Sequence, residues 1–341
     1  MNIKKQWFLL VLLIGLVNIL IACGNKEDAK TDSEGNKTEV TTLRYTDNPG
    51  SVSPPELAED LGYLEGLKLD YQGVYTGGPE NIQLVATDQL EFGYAFNGAL
   101  VKSASKNVKI KSVVGAYGSD ENTNVAYLTL KDSGIKEAKD LIGKTIGVNT
   151  LGAHIEIVLK GYLEQSGLTK REIEQITLVT IPAANTEQAL RNKQIDAAGM
   201  LGFVKDRAIE KGGLATLFTD FELYGTFTAG NYFFSEEFIE QNPTTVKIFV
   251  DGVSKAIEWA RTTPVEEVIA RQEDIIENRG RKETTDNIKY WKSSGLATEG
   301  GVIQDSDYQV WADWFISNGD LKEGDIKVTD LYTNEFNSFS K

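Results

Sequence analysis

The stretch "DLIGKTIGVNTLGAHIEIVLKGYLEQSGL", Asp140–Leu168, changes its periodicity halfway. Gly143 to Thr150 is a short run rich in β-branched residues that ends on a turn, which reads as a strand. From Ala153 to Ser166, Ile155, Val158, Leu159, Tyr162 and Leu163 fall at helical spacing. The same grammar continues downstream: "ITLVTIP" is a strand, Thr186 to Asn192 a helix and "IDAAGM" a strand. It also holds upstream. "TTLRYT" is a strand, followed by the loop "DNPGSVSPP" and a helical pattern from Glu56 to Leu61. "LKLDY" is a strand, "TGGPE" a turn, Asn81 to Thr87 a helix and "LEFGYAF" a strand. Strands that alternate with helices need crossovers, so the expected class is α/β with mostly parallel sheets.

An internal echo divides this pattern in two. "LVATDQLEFGYA" from Leu84 aligns without gaps on "ALRNKQIDAAGM" from Ala189, setting Gln89 over Gln194, Leu90 over Ile195 and Glu91 over Asp196. Each copy reads as a helix, a tight turn, an acidic residue and a strand running to small residues. Two lobes on one plan are expected, and 341 residues suffice for two cores.

The N-terminus reads differently. Lys4 and Lys5 precede an apolar run from Trp7 to Ala22 that is shorter than the roughly 20 residues of a spanning helix, which is the layout of an export signal. Leu20-Ile21-Ala22-Cys23 resembles the lipobox of bacterial lipoproteins, in which the Cys is diacylated and becomes the new N-terminus. Cys23 is the only cysteine, so the exported remainder can form no disulfide and no thiolate metal site. Residues 23–40 form an expected tether, since 24–39 contain no large apolar residue to offset the entropy of ordering.

Composition and motifs exclude several chemistries. Fifty acidic residues against 35 basic ones give a formal charge of −15, which argues against a nucleic-acid partner. "GKT" at Gly143 imitates the end of a phosphate-binding loop, but Ala138 stands where that motif needs its first glycine. His154 is the only histidine, so no His and Cys zinc site can be assembled and a Ser-His-Asp triad would have to use it. No G-x-S-x-G elbow occurs and no carboxylate pair stands out. No metal and no cofactor are expected.

Four segments together carry a family resemblance: "DQLEFGYAFNGAL", the opening Asp140–Leu168 stretch, "EQALRNKQIDAAGMLGF" and a long helical tail from Pro243. In their order and spacing the chain resembles the substrate-binding lipoproteins of ABC importers in the nitrate, sulfonate, taurine and thiamine-precursor group. The resemblance implies a type II periplasmic-binding fold, two α/β lobes joined by two crossing strands, with a helical C-terminal tail. It divides the chain into a signal peptide (1–22), the lipidated Cys and tether (23–40), lobe 1 (41–126 plus 231–341) and lobe 2 (127–230). The crossings are expected near Asn124 to Leu130 and Tyr224 to Phe234. The implied function is extracytoplasmic capture of a small organic ligand, with no chemistry done, by a monomer anchored to the cell membrane that delivers to importer permease subunits. Two alternatives stay open: a sensory ligand-binding lipoprotein, or an enzyme on the same scaffold acting on a pyrimidine or chorismate-derived substrate.

In open α/β sheets ligands sit beyond the carboxyl ends of the strands. That selects residues 47–53, 76–79, 95–99, 149–154, 183–185 and 200–203. The candidate ligand contacts are Asp47, Asn48, Ser51, Ser53, Thr76, Gly77, Phe96, Asn97, Thr150, Gly152, Ala153, His154, Asn185 and Phe203, with Tyr232 as a further ring for stacking. The helix start near Ala153 offers free N–H groups to a mono-anion. His154 aligns with a histidine often found near the start of this helix in the family. None of the six segments contains Lys or Arg, so a neutral or mono-anionic organic ligand is expected over a mineral dianion.

Overall fold

The computed structural model describes residues 39–340. The export signal, Cys23 and all but the end of the tether therefore lie outside the described residues. The chain starts with β1 (Thr42–Tyr45), α1 (Pro54–Asp60), β2 (Lys68–Tyr71), α2 (Gly78–Ala86), β3 (Phe92–Phe96), α3 (Asn97–Ala104) and the long β4 (Ile110–Ser119). It continues through β5 (Ala126–Leu130), β6 (Thr145–Val148), α4 (His154–Gln165), α5 (Lys170–Ile173), β7 (Thr177–Thr180) and α6 (Ala183–Arg191). Then come β8 (Ala197–Met200), α7 (Gly202–Glu210), β9 (Leu214–Thr219), α8 (Asp220–Tyr224) and β10 (Phe227–Ser235). The tail adds α9 (Glu236–Gln241), α10 (Pro243–Thr262), α11 (Val265–Asn278) and α12 (Ser306–Ser317).

One five-stranded sheet has the order β7-β6-β8-β5-β9. Facing it are β3-β10-β4 and the pair β1-β2, tied together where the Glu91 N–H donates to the Arg44 carbonyl at 3.2 Å. β1-β2, β6-β7 and β6-β8 are parallel, as the helical crossovers dictate. β5 and β10, however, run antiparallel to both of their neighbours, so the sheets are more mixed than the expected mostly parallel arrangement. The reason is entry direction: each of these strands arrives from the other lobe through a short link and not through a helical crossover within its own sheet. The links are residues 120–125 and 220–226; the β-branched and aromatic runs expected to cross are mostly β5 and β10, which sit inside sheets.

The internal echo is carried into three dimensions. Asp88 and Lys193, aligned in the two copies, both take positive φ (56° and 58°) at the turn into the strand. The next acidic residue then accepts from the neighbouring strand in the same way: Glu91 from the Arg44 N–H at 2.5 Å, Asp196 from the Thr145 N–H at 2.9 Å. Local chemistry thus fixes the same β-α-β geometry twice.

The first-lobe core is aromatic. Phe92 packs on Phe249 of α10 with centroids 4.6 Å apart, and Phe234 and Tyr232 complete the cluster. Val246, Phe249, Val250, Val253 and Ile257 line one face of α10 and are all buried, which is why this long helix lies flat against the sheet. Burial of each such side chain contributes about 1.5–3 kcal/mol.

Candidate functional site

A cavity of about 940 Å³ opens between the carboxyl ends of the two sets of parallel strands. Its walls come from both lobes and from the tail. On the first-lobe side the end of β1 delivers Asp47, only 4% exposed. Its Oδ1 accepts the Asn48 N–H at 2.7 Å, while Oδ2 is buried without a partner. Burial, and then the nearby Glu56, push this carboxyl up to about 7. Ser53, the Asn48 N–H and Arg279 draw it back only in part, because the arginines at hand are committed elsewhere. Arg279 and Arg281 reach Glu56 at 2.9 and 2.7 Å, Arg279 also holds Glu283 at 2.6 Å, and Arg281 lies 3.6 Å over the Tyr71 ring. Around Asp47 stand Tyr75, Tyr94 and Tyr232, three cavity-lining phenols that burial holds in the neutral form. Tyr75 and Tyr94 are hydrogen-bonded to each other, and Tyr94 meets Tyr232 edge-on at 5.5 Å.

The floor is built differently. His154, the first residue of α4, stacks on Phe96 from the other lobe with centroids 4.7 Å apart and planes within 4°. Its Nε2 lies 2.9 Å from Asp220 Oδ2. Asp220 opens α8 in the return link and is fully buried; its Oδ1 accepts the Ser119 hydroxyl at 2.7 Å and the Val125 N–H at 2.9 Å. Ser119 ends β4 and Val125 precedes β5, so one carboxylate joins both links between the lobes. The serine donates to the aspartate and not to the histidine, so these three groups do not form a nucleophile relay. Among the described residues no group of three or more His, Cys, Asp or Glu side chains is placed to hold a metal ion.

The sequence-predicted contacts divide accordingly. Asp47, Asn48, Ser51, Ser53, Thr76, Gly77, Phe96, Ala153, His154, Phe203 and Tyr232 line the cavity. Asn97, Thr150, Gly152 and Asn185 do not. Asn97 is fully buried beneath the site, donating to the Thr228 carbonyl at 2.8 Å and accepting from Asn231 at 2.6 Å, so its amide serves the core. Asn185 is exposed on α6. Thr150 packs against Gly77, where an added Cβ would come within 2.5 Å of its methyl. The Gly152 N–H is already taken by Glu156 Oε2 at 2.6 Å, and that carboxylate compensates the positive end of α4. The anion site expected at this helix start is therefore largely filled from within.

The absence of basic residues also needs correction. Arg207 of α7 and Lys282 and Lys292 of the tail line the cavity. The two lysines lie in "RKETTDNIKYWKSSG", residues 281–295, a strap that closes one side of the cleft. It is fastened to α7 by Lys292 to Asp206 at 3.1 Å and by a hydrogen bond from the Tyr290 hydroxyl to Glu210. It is fastened to the first link by Ser293 Oγ to Asp120 Oδ2 at 2.6 Å, and the Gly118 N–H donates to the Ser294 carbonyl at 2.9 Å. Only glycine fits where strap and β4 touch: a Cβ on Gly118 would lie 2.1 Å from the Gly295 oxygen. A signal existed in the sequence, since a long connection between two tail helices that carries three lysines beside Tyr290 and Trp291 marks a functional loop.

Comparisons with known proteins agree with this architecture. The chain is 27% identical over 295 residues, 81% of its own length and 86% of the other's, to a Brucella abortus protein named as a binding protein. Among solved structures it resembles the alkanesulfonate-binding protein SsuA of Xanthomonas axonopodis pv. citri bound to MOPS (TM-score 0.66, 17% identity, 87% and 99% of the two chains). The nitrate-binding protein NrtA of Synechocystis superposes with a TM-score of 0.68 at 11% identity, covering 87% of each chain. The desulfurization enzyme DSZB shares the fold too, with a TM-score of 0.60 at 15% identity over 87% of this chain and 97% of its own. The fold is thus that of the periplasmic binding proteins, used by binders and by at least one enzyme. The model of the NMT1/THI5-like family matches residues 53–267, more than half of the sequence, and the chain belongs to that family.

Proposed function

We propose that this protein captures a small organic molecule in the cleft and hands it to the permease of an ABC importer, doing no chemistry on it. One observation carries the reading: a cleft of about 940 Å³ draws its walls from both lobes, aromatic on one side and dotted with buried polar atoms that lack partners, among them Asp47 Oδ2, Ser53 Oγ and Asn149 Oδ1. Such a volume suits a small ligand, and unsatisfied buried polar atoms mark where that ligand completes the hydrogen bonding. Capture works by closure, because a ligand touching both lobes stabilises the closed state with contacts that the open state lacks. The resemblance of Leu20–Cys23 to a lipobox supports a lipid-anchored, extracytoplasmic protein with residues 23–40 as tether; the capture unit in this reading is the single chain, since both walls of the cleft come from it.

Small-angle scattering and thermal melting test the capture step. The ligand that co-purifies from the native host, identified by native mass spectrometry, is added back to stripped protein. Compaction is expected, with stabilisation of about 2.7 kcal/mol at a hundredfold excess over Kd. Tight binding with an unchanged radius of gyration would refute closure. The anchor is tested by Cys23→Ala, which should release the protein from membranes, since acyl burial contributes about 0.8 kcal/mol per CH₂. Retention of this variant on membranes after a high-salt wash would refute the anchor.

A further inference from the structure

Asp47 is the one cavity-lining carboxylate that is both deeply buried and left with an unpartnered oxygen. Asp206 and Glu283, the other acids in the lining, are tied to Lys292 at 3.1 Å and to Arg279 at 2.6 Å. A buried carboxylate oxygen without a donor costs free energy in the empty protein, so something that donates a hydrogen bond must recover it. Within the chain, the Ser53 hydroxyl, itself left without a partner, is the neighbouring donor that draws the carboxyl down, but it forms no bond to Oδ2 within hydrogen-bond geometry. The Asn48 N–H is spent on Oδ1, the two nearby arginines are spent on Glu56 and Glu283, and the Tyr75 hydroxyl donates to Tyr94.

What surrounds the free oxygen narrows the donor further. Three phenol rings, Tyr75, Tyr94 and Tyr232, stand beside it in the cavity wall, and ring faces attract cations. A carboxylate flanked by aromatic rings suits a flat or compact group bearing positive charge or N–H donors, whereas an anionic group placed there would face like charge beside arginines already paired with Glu56 and Glu283. On the opposite side, the α4 terminus that would attract an anion already holds Glu156.

We propose that the ligand is an organic base, an amine, amidine or protonated nitrogen heterocycle, whose N–H group binds Asp47 Oδ2 inside the tyrosine box. This rests on the ligand-capture reading and specifies its chemistry. The upward displacement of the Asp47 carboxyl agrees with it, because a cation placed there would draw the group back to its ionised form.

The test is calorimetric titration of purified protein with three rings of one shape: benzamidine (cationic), benzamide (neutral) and benzoate (anionic), each against wild type, Asp47→Asn and Asp47→Ala. Benzamidine should bind wild type at least tenfold more tightly than benzamide, and Asp47→Asn should abolish that preference. Near-isosteric Asn keeps the fold intact, which far-ultraviolet circular dichroism checks. Tighter binding of benzoate than of benzamidine, or a benzamidine preference unchanged in Asp47→Asn, would overturn the proposal while leaving ligand capture standing. If none of the three rings binds, the molecule that co-purifies decides: one with a basic nitrogen whose retention is lost in Asp47→Ala supports the proposal, and one without overturns it. Absence of both probe binding and any co-purified molecule would defeat the cleft as a ligand site, and this inference with it.

Discussion

Two buried aspartates belong to the same cleft and do opposite things. Asp220, beneath the floor, has the Ser119 hydroxyl and the Val125 N–H on Oδ1, and its Oδ2 lies 2.9 Å from His154 Nε2, in ion-pair range though outside hydrogen-bond geometry. Asp47, in the first-lobe wall, has a single backbone N–H on Oδ1 and nothing on Oδ2. A buried carboxylate surrounded by donors from both interlobe links is a fastening, and removing it leaves those donors stranded. A buried carboxylate with a bare oxygen is a cost carried by the fold, tolerated where a ligand settles it. Burial alone does not distinguish the two; the partners do.

Four substitutions could break this comparison. The largest effect is expected from Phe96→Ala, since the ring is buried between His154 and Trp311: a loss of roughly 4 kcal/mol in urea unfolding, as for other buried Phe truncations. A loss below about 1 kcal/mol would mean that the floor is not a packed joint. Next comes Asp220→Ala, which should cost about 3 kcal/mol by stranding the Ser119 hydroxyl and the Val125 N–H and leaving a cavity beside His154. Were this variant as stable as wild type, Asp220 would be no fastening.

Asp47→Asn is expected to act in the other direction and to depend on pH. The folded carboxyl, at about 7, lies above its ordinary 3.8, so the native state holds a proton that the unfolded chain has released. Wild-type stability should therefore fall as pH rises from about 4 to about 7, with the full cost present above 7. The variant should melt higher than wild type at pH 8 and equally at pH 3.5. Equal melting at both values would show that Asp47 is solvated and bears no such cost.

The smallest effect concerns the strap. Lys292→Ala removes a half-exposed ion pair, so unfolding should change by no more than about 0.5 kcal/mol. Ligand release, followed by stopped-flow fluorescence of the strap Trp291, should nevertheless accelerate, because Lys292 joins the tail to α7 of the second lobe. Unchanged release would reduce the strap to a passive wall.

Local signals were enough for much of the architecture. The change from a β-branched run to helical spacing in Asp140–Leu168 located β6 and α4, and the echo between Leu84 and Ala189 exposed two copies of one unit, down to the aligned positive-φ turns at Asp88 and Lys193. These features depend on contacts within a few residues, which is why composition and spacing record them. Cavity residues at strand ends were likewise reachable, because ligands gather where parallel strands finish.

Only the tertiary structure decided the rest, since the deciding contacts are distant in sequence. The antiparallel course of β5 and β10 follows from the side on which a strand enters from the other lobe, which no window of sequence contains. Asn97 read as a ligand contact until a partner 134 positions away claimed it, and the Gly152 N–H read as free until Glu156 reached back for it. The strap brings Lys282 and Lys292 into a cleft whose nearest strand ends carry no basic residue. Most of all, the sequence lists Asp47 and Asp220 as the same residue type, and only the fold, by spending donors on one and withholding them from the other, makes the first a place to bind and the second a place to hold.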